Sequence, residues 1–146
     1  MPTIGPLGSS DLVIVAGAVF AVFWLSTAPS VGLWVARDAR ARGSDQPVVW
    51  ALASVFTPFG LAYYLYRRYR RAGIGRRSAP PTTHERVLAT WASASLASFL
   101  GSSVLAPPDP FTQILVAIAL LGPLLPLAYV LVFRGAYRTV LDRVGA

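Results

Sequence analysis

Four uncharged apolar stretches, each about as long as a helix needs to cross a bilayer, constrain this chain more than any other feature. They are Leu12–Ala36, Pro47–Tyr66, Val87–Ala106 and Thr112–Phe133. About 20 residues rising 1.5 Å each cover a hydrocarbon core of ~30 Å. Lipid offers the backbone no hydrogen-bond partners, so helices are the expected form. Membrane strands would be about half as long and would alternate in polarity. The composition agrees: 55% of the 146 residues are hydrophobic and 13% charged, against roughly 25% charged in soluble domains. That balance excludes an ordinary soluble fold and also a disordered chain. The fold class is therefore all-α and integral to a membrane, with four transmembrane helices arranged as two antiparallel hairpins.

Helix punctuation supports this division. Ser10 is placed to cap the first helix, with Asp11 in its first turn, and Gly43 to end it. Asp45 is expected to cap the second helix, with Pro47 in its first turn. Thr82 and Glu85 form a T-x-x-E capping box before the third, and Pro107–Pro108 stop it. Asp109 and Pro110 start the fourth. One membrane domain, 1–146, then divides into a hairpin 11–71, an Arg-rich linker 72–82, a hairpin 83–134 and an amphipathic tail 135–146. Trp24-x-Ser26 against Trp91-x-Ser93, and Leu61-Ala62-Tyr63 against Leu127-Ala128-Tyr129, give the two hairpins a faint echo of a duplication.

The charges set the orientation and contain a conflict. All 13 basic residues are Arg. Seven lie in the segment 67–86, three in the first turn (Arg37, Arg40, Arg42) and three in the tail (Arg134, Arg138, Arg143). Four full spans place ten Arg on one side and three on the other. The positive-inside rule then puts both termini and the linker in the cytoplasm of a multi-pass cell-membrane protein. The first helix alone argues otherwise, since its three flanking Arg all follow it. A re-entrant segment 47–66, turning at Thr57-Pro58-Phe59-Gly60, would leave three spans and place every Arg on one side. Aromatic placement favours the full span instead. Trp50 and Tyr66 would lie ~24 Å apart on a continuous helix and mark opposite interfaces, with a kink at Pro58.

Catalytic chemistry finds little to work with. The chain has no Cys and one His, His84, so a Cys-based or multi-His metal site is excluded. All six acids lie outside the apolar stretches. An enzyme acting on lipids would need Asp38, Asp45 and Asp109 to meet at one surface. No catalytic, cofactor-binding or metal-binding residue is assigned. The third stretch is rich in small residues, and Ala94, Ser98, Gly101 and Ser102 form a small-xxx-small stripe suited to close helix packing. A polar seam for a small transporter or channel component is the alternative use of that stripe. The Arg run, Arg67, Arg68, Arg70, Arg71, Arg76 and Arg77, suits contact with anionic headgroups or an acidic partner. The tail places Tyr137, Val140, Leu141 and Val144 on one face.

The segment Trp34–Arg68 carries the pattern D-A-x-x-R-G, then P-x-x-W, then G-x-x-x-Y-x-x-x-R. It resembles hairpins of small, uncharacterised archaeal membrane proteins, halophilic ones in particular. It is more loosely similar to the N-terminal membrane hairpin of phospholipase D-like cardiolipin synthases. The matching positions are Asp38, Arg42, Gly43, Trp50, Gly60, Tyr64 and Arg68. The resemblance implies a membrane module, not an activity. The phospholipase motif H-x-K-x4-D needs a Lys, and this chain has none. The sequence thus points to a non-enzymatic scaffold, anchor or accessory subunit with an Arg-rich cytoplasmic face. Its partners would be membrane lipids, with a membrane protein or a second copy of the chain as further candidates and no nucleic acid.

Overall fold

The computed structural model describes residues 8–57, 59–70, 73–135 and 143. The expectations for Arg71, and for the tail face of Tyr137, Val140, Leu141 and Val144, lie outside the described residues. Five helices follow in order: α1 (Ser9–Ala41), α2 (Pro47–Phe56), α3 (Gly60–Tyr69), α4 (Thr83–Leu105) and α5 (Pro110–Phe133). Three of them, α1, α4 and α5, are long and apolar enough to cross a membrane.

Most boundaries follow local chemistry. Gly43 takes φ +74°, and its N–H and that of Ser44 close the end of α1 onto the carbonyls of Arg40 and Ala39. Thr82 and Glu85 form the expected reciprocal capping box. Asp109 caps α5 by accepting from the amides of Phe111 and Thr112. Hydrogen bonding from Thr112, its side chain foremost, holds the Asp109 carboxyl below its ordinary pKa. That cap is therefore present at neutral pH and lost as the pH falls through the lowered value. Two expected caps differ. Gly8, not Ser10, precedes α1, and Asp11 reaches back to the Gly8 amide. Gln46, not Asp45, precedes α2, and Ser44 Oγ accepts from its amide.

The second apolar stretch is not a continuous helix. Thr57 is extended (φ −116°, ψ 139°), ending α2 after ten residues. The residue before a proline is pushed out of the helical region, and Pro58 has no N–H to continue the ladder. The chain then reverses. A Cβ on Gly60 would lie 1.9 Å from the Ala53 carbonyl oxygen, so only glycine permits this approach of α3 to α2. The ring of Trp50 sits 5.9 Å from that of Tyr63 and 5.6 Å from that of Tyr64. These aromatics, expected at opposite interfaces, are neighbours. Each limb is ~15 Å long, half a hydrocarbon core. In place of one long kinked helix, the second stretch forms two short helices folded back on each other, beside three helices long and apolar enough to cross a membrane. Phe56 and Phe59 project from the tip of this hairpin.

The remaining contacts fix the layout. Trp24 of α1 meets Phe99 of α4, and Arg37 of α1 donates to Nδ1 of His84 at the start of α4. The two helices therefore run antiparallel. α5 returns beside α4, bringing Phe133 near Arg86. Gly8 and Gly135 consequently lie at opposite ends of the bundle. The echo between the hairpins does not extend to architecture. α5 stays helical through Pro123 and Pro126, whereas its counterpart breaks at Thr57.

Burial is inverted relative to a water-soluble protein. Val104, Phe56, Leu25 and Val13 are exposed, while Ser95, Ser98, Ser102, Thr27 and Asp38 are buried. Small and polar side chains face inward, as helix packing in lipid favours. Ala94, Ser98 and Ser102 lie in the interior of the bundle, and Gly101 faces Leu120 of α5. Ser98 donates to the Ala117 carbonyl of α5, and Ser102 to the Phe99 carbonyl.

Spin labels on Val48→Cys and Tyr66→Cys, in a chain that has no native cysteine, measure the hairpin directly. A continuous helix separates these sites by ~27 Å. The folded-back hairpin is expected to give a distance well below that. A distance near the helical value would restore the kinked span.

Candidate functional site: a buried carboxylate under an arginine cluster

The chemistry of this chain concentrates at the C-terminal end of α1. Asp38 lies two residues beyond the apolar stretch, and its side chain is only 1% exposed. Helix periodicity puts Arg42 beside it, as the i,i+4 spacing anticipates. Arg42 Nε donates to Asp38 Oδ2 at 2.9 Å. The short α2–α3 hairpin supplies the next partners. Tyr64 of α3 is fully buried, and its hydroxyl donates to the same oxygen at 2.7 Å. Arg68, one turn later on α3, brings Nε to 3.4 Å, an ion pair without hydrogen-bond alignment. Its guanidinium lies against the rings of Trp34 and Tyr69.

The linker completes the cluster. Arg77 donates through one terminal nitrogen to Asp38 Oδ1 at 2.8 Å and through the other to Glu85 Oε2. Glu85 Oε2 also accepts the Thr82 amide in the capping box of α4. A continuous polar path therefore runs from α1 through Asp38 and Arg77 to the first turn of α4. Main-chain contacts hold the linker in place. The Ser78 amide and hydroxyl both donate to the Ala41 carbonyl, and Arg42 donates to the Gly75 carbonyl. Ile74 packs against the small apolar core around Val35 and Tyr64.

The physical logic is that of a desolvated anion. Taking a carboxylate out of water costs several kcal/mol unless charge and hydrogen bonds replace the solvent. Asp38 gains one phenolic donor and three guanidinium groups drawn from α1, α3 and the linker. Tyr64, Arg68 and Arg77 also close tertiary contacts that backbone hydrogen bonding does not make, while Arg42 pairs locally at the end of α1.

The sequence-derived residues separate into distinct sets. Asp38, Arg42, Tyr64 and Arg68 of the hairpin pattern converge on one site, and Trp50 stacks nearby on Tyr64. Gly43 and Gly60 form the two reversals that bring them together. Of the Arg run, Arg68 and Arg77 are tied to Asp38. Arg67 reaches the Tyr63 hydroxyl, Arg70 lies over the Tyr66 ring, and Arg76 is exposed. Glu85 was missed as a member of this site. The capping box accounted for Glu85, and nothing local signals that Arg77 bridges it to Asp38. Asp109 lies at the opposite end, where a cavity of about 580 Å³ joins it to Val13 and Phe20. The aspartate grouping an enzyme would have needed is therefore not formed. Among the described residues no three His, Asp or Glu side chains cluster as metal ligands.

Asp38→Asn keeps the shape and removes the charge, leaving three buried guanidinium groups facing a neutral amide. Unfolding in detergent is expected to show a loss of about 3–5 kcal/mol. Tyr64→Phe should cost about 1.5–3 kcal/mol, the range for a hydrogen bond to a charged group. In an Asp38→Asn background, Arg77→Gln should cost much less than it does alone. Additive effects would show that the pair is not coupled.

Comparison of the chain with protein-family models, with curated proteins and with solved structures finds no match.

Proposed function

We propose that the chain is a non-enzymatic membrane scaffold or anchor whose Arg-rich end faces the cytoplasm and contacts anionic lipid or an acidic partner. One observation carries this reading. The acids Asp38 and Glu85 at that end are engaged by Arg42, Arg68 and Arg77. Arg37, Arg40, Arg67, Arg70, Arg76 and Arg86 form no ion pair among the described residues. The exposed members, Arg40, Arg70 and Arg76, stand on a platform fixed by the Asp38 cluster. A fixed cationic surface attracts anionic headgroups at ~1 kcal/mol per Arg.

The same geometry supports the orientation. With the hairpin re-entrant, the Arg of the first turn, of the linker and of the end of α5 share one end of the bundle. The turn at Asp109 has no Arg. The positive-inside rule then assigns the Arg-rich end to the cytoplasm and the Gly8 end to the other side. This orientation removes the charge conflict that four spans leave.

The chain's lack of cysteine makes the test direct. Ser44→Cys, Ser78→Cys and Pro108→Cys are labelled separately with an impermeant maleimide in vesicles of each orientation. Labelling of Ser44 and Ser78 positions from the cytoplasmic side and of the Pro108 position from the other is expected. Shared labelling of the Ser44 and Pro108 positions would overturn it. Polymer discs extracted from bilayers of equal phosphatidylcholine and phosphatidylglycerol should be enriched in phosphatidylglycerol, less so at high salt. Unenriched discs would remove the lipid contact.

A further inference from the structure

A cavity of about 480 Å³ opens beside the Asp38 cluster, between α3 and the α4–α5 pair. It falls within the roughly 300–1,000 Å³ that small-molecule sites occupy. Nothing in the described chain closes it, since no Cα of α3 comes within 8 Å of one in α4 or α5. Its two halves differ in chemistry. The mouth is lined by Arg42, Arg68, Arg77 and Arg86 with Asp38 and Glu85, four positive groups against two negative, or +2. The wall beyond it is apolar, formed by Leu65 of α3, Leu96 of α4 and Leu124, Leu127 and Leu131 of α5.

Two guanidinium Nε groups at the mouth form no hydrogen bond, one of them Arg68 Nε, which lies 3.4 Å from Asp38 Oδ2 as an ion pair only. Arg86 forms no ion pair among the described residues and lies 5.9 Å from the Phe133 ring. Its Nε is buried and has no hydrogen-bond partner there, and neither has the Nε of Arg68. A buried guanidinium N–H without an acceptor is costly. An excess of cation, two unsatisfied donors and an apolar wall together define an occupant that is anionic at one end and hydrocarbon at the other.

We propose that this cleft binds a single phospholipid with an anionic headgroup. Its phosphate lies against Arg86 and Arg68, and one acyl chain runs along the leucines of α4 and α5. The inference rests on the reading that the Arg-rich end meets anionic lipid. It goes further by replacing a diffuse surface attraction with one site of defined composition. A soluble anion would satisfy the arginines and leave the apolar wall without a role.

Native mass spectrometry of the full chain in detergent tests this, with phosphatidylglycerol and phosphatidylcholine added separately. A one-to-one phosphatidylglycerol adduct is expected, with phosphatidylcholine bound far less. Arg86→Gln should lower its occupancy by about fivefold. Ser93→Trp, at an exposed α4 position that lines the cavity, should abolish it by filling the cleft. Because Ser93 is not in the Asp38 cluster, that variant serves if Arg86→Gln fails to fold. Glycerol phosphate, the headgroup without its chains, should not displace the lipid. Equal occupancy by the two lipids, an adduct unchanged in both variants, or displacement by glycerol phosphate would overturn the cleft. Enrichment of phosphatidylglycerol in discs, persisting while the adduct is absent, would retract the cleft alone. An adduct without that enrichment would support the cleft and retract the surface contact.

Discussion

The structure depends on one buried carboxylate. Asp38 sits where α1 leaves the apolar layer, out of water, and three guanidinium groups and a phenol replace its solvent. The donors come from three pieces of chain. Arg42 closes the end of α1, Tyr64 and Arg68 hold α3 against it, and Arg77 draws the linker across to Glu85 and α4. Without the anion, the arginines at this end would repel one another. With it, they become the means by which four segments are joined.

Lipid as solvent explains why a charge performs this task. Between helices in a bilayer, burying hydrocarbon gains little, because lipid chains are as apolar as leucine. Ser, Thr and Ala accordingly fill most of the buried positions, around a small core of Val31, Val35 and Tyr64, while large aliphatic side chains such as Val104 and Leu25 face outward. The long helices then associate through close contacts such as Ser98 with the Ala117 carbonyl. The short hairpin has only ten residues in each limb to offer. Its attachment combines the apolar packing of Val55 and Leu61 on the Val31–Val35 face of α1 with Tyr64 and Arg68 reaching Asp38 and the rings of Trp34 and Trp50 packed around Tyr64.

The parts of the fold governed by local rules were legible from residues alone. The three long helices follow from uninterrupted apolar runs, and the ends at Gly43, Thr82 and Asp109 follow from backbone chemistry. The Asp38–Arg42 pair follows from helical spacing. The hairpin was harder, because Thr57–Gly60 fits both a kink and a reversal. What decides between them is non-local: whether Tyr64 and Arg68 find a partner at the end from which α2 departed. The charge pattern around Arg37, Arg40 and Arg42 favours a reversal there, whereas the aromatic spacing favours a continuous span. Trp50 and the tyrosines are spaced like markers of two interfaces, yet Trp50 packs on Tyr63 and Tyr64. The bridge from Arg77 to Glu85 spans a linker without periodicity, so no pattern could announce it.

Hydrogen exchange at the Ser78 amide, which donates to the Ala41 carbonyl at 2.8 Å, tests most directly whether Asp38 holds these segments together. Asp38→Asn leaves that backbone bond chemically intact and removes only the charge that anchors the adjacent Arg77. Protection at Ser78 and along α3 is expected to collapse together in the variant, while α4 and α5 keep theirs. Unchanged protection at Ser78 and α3 would show that the carboxylate is not what joins them.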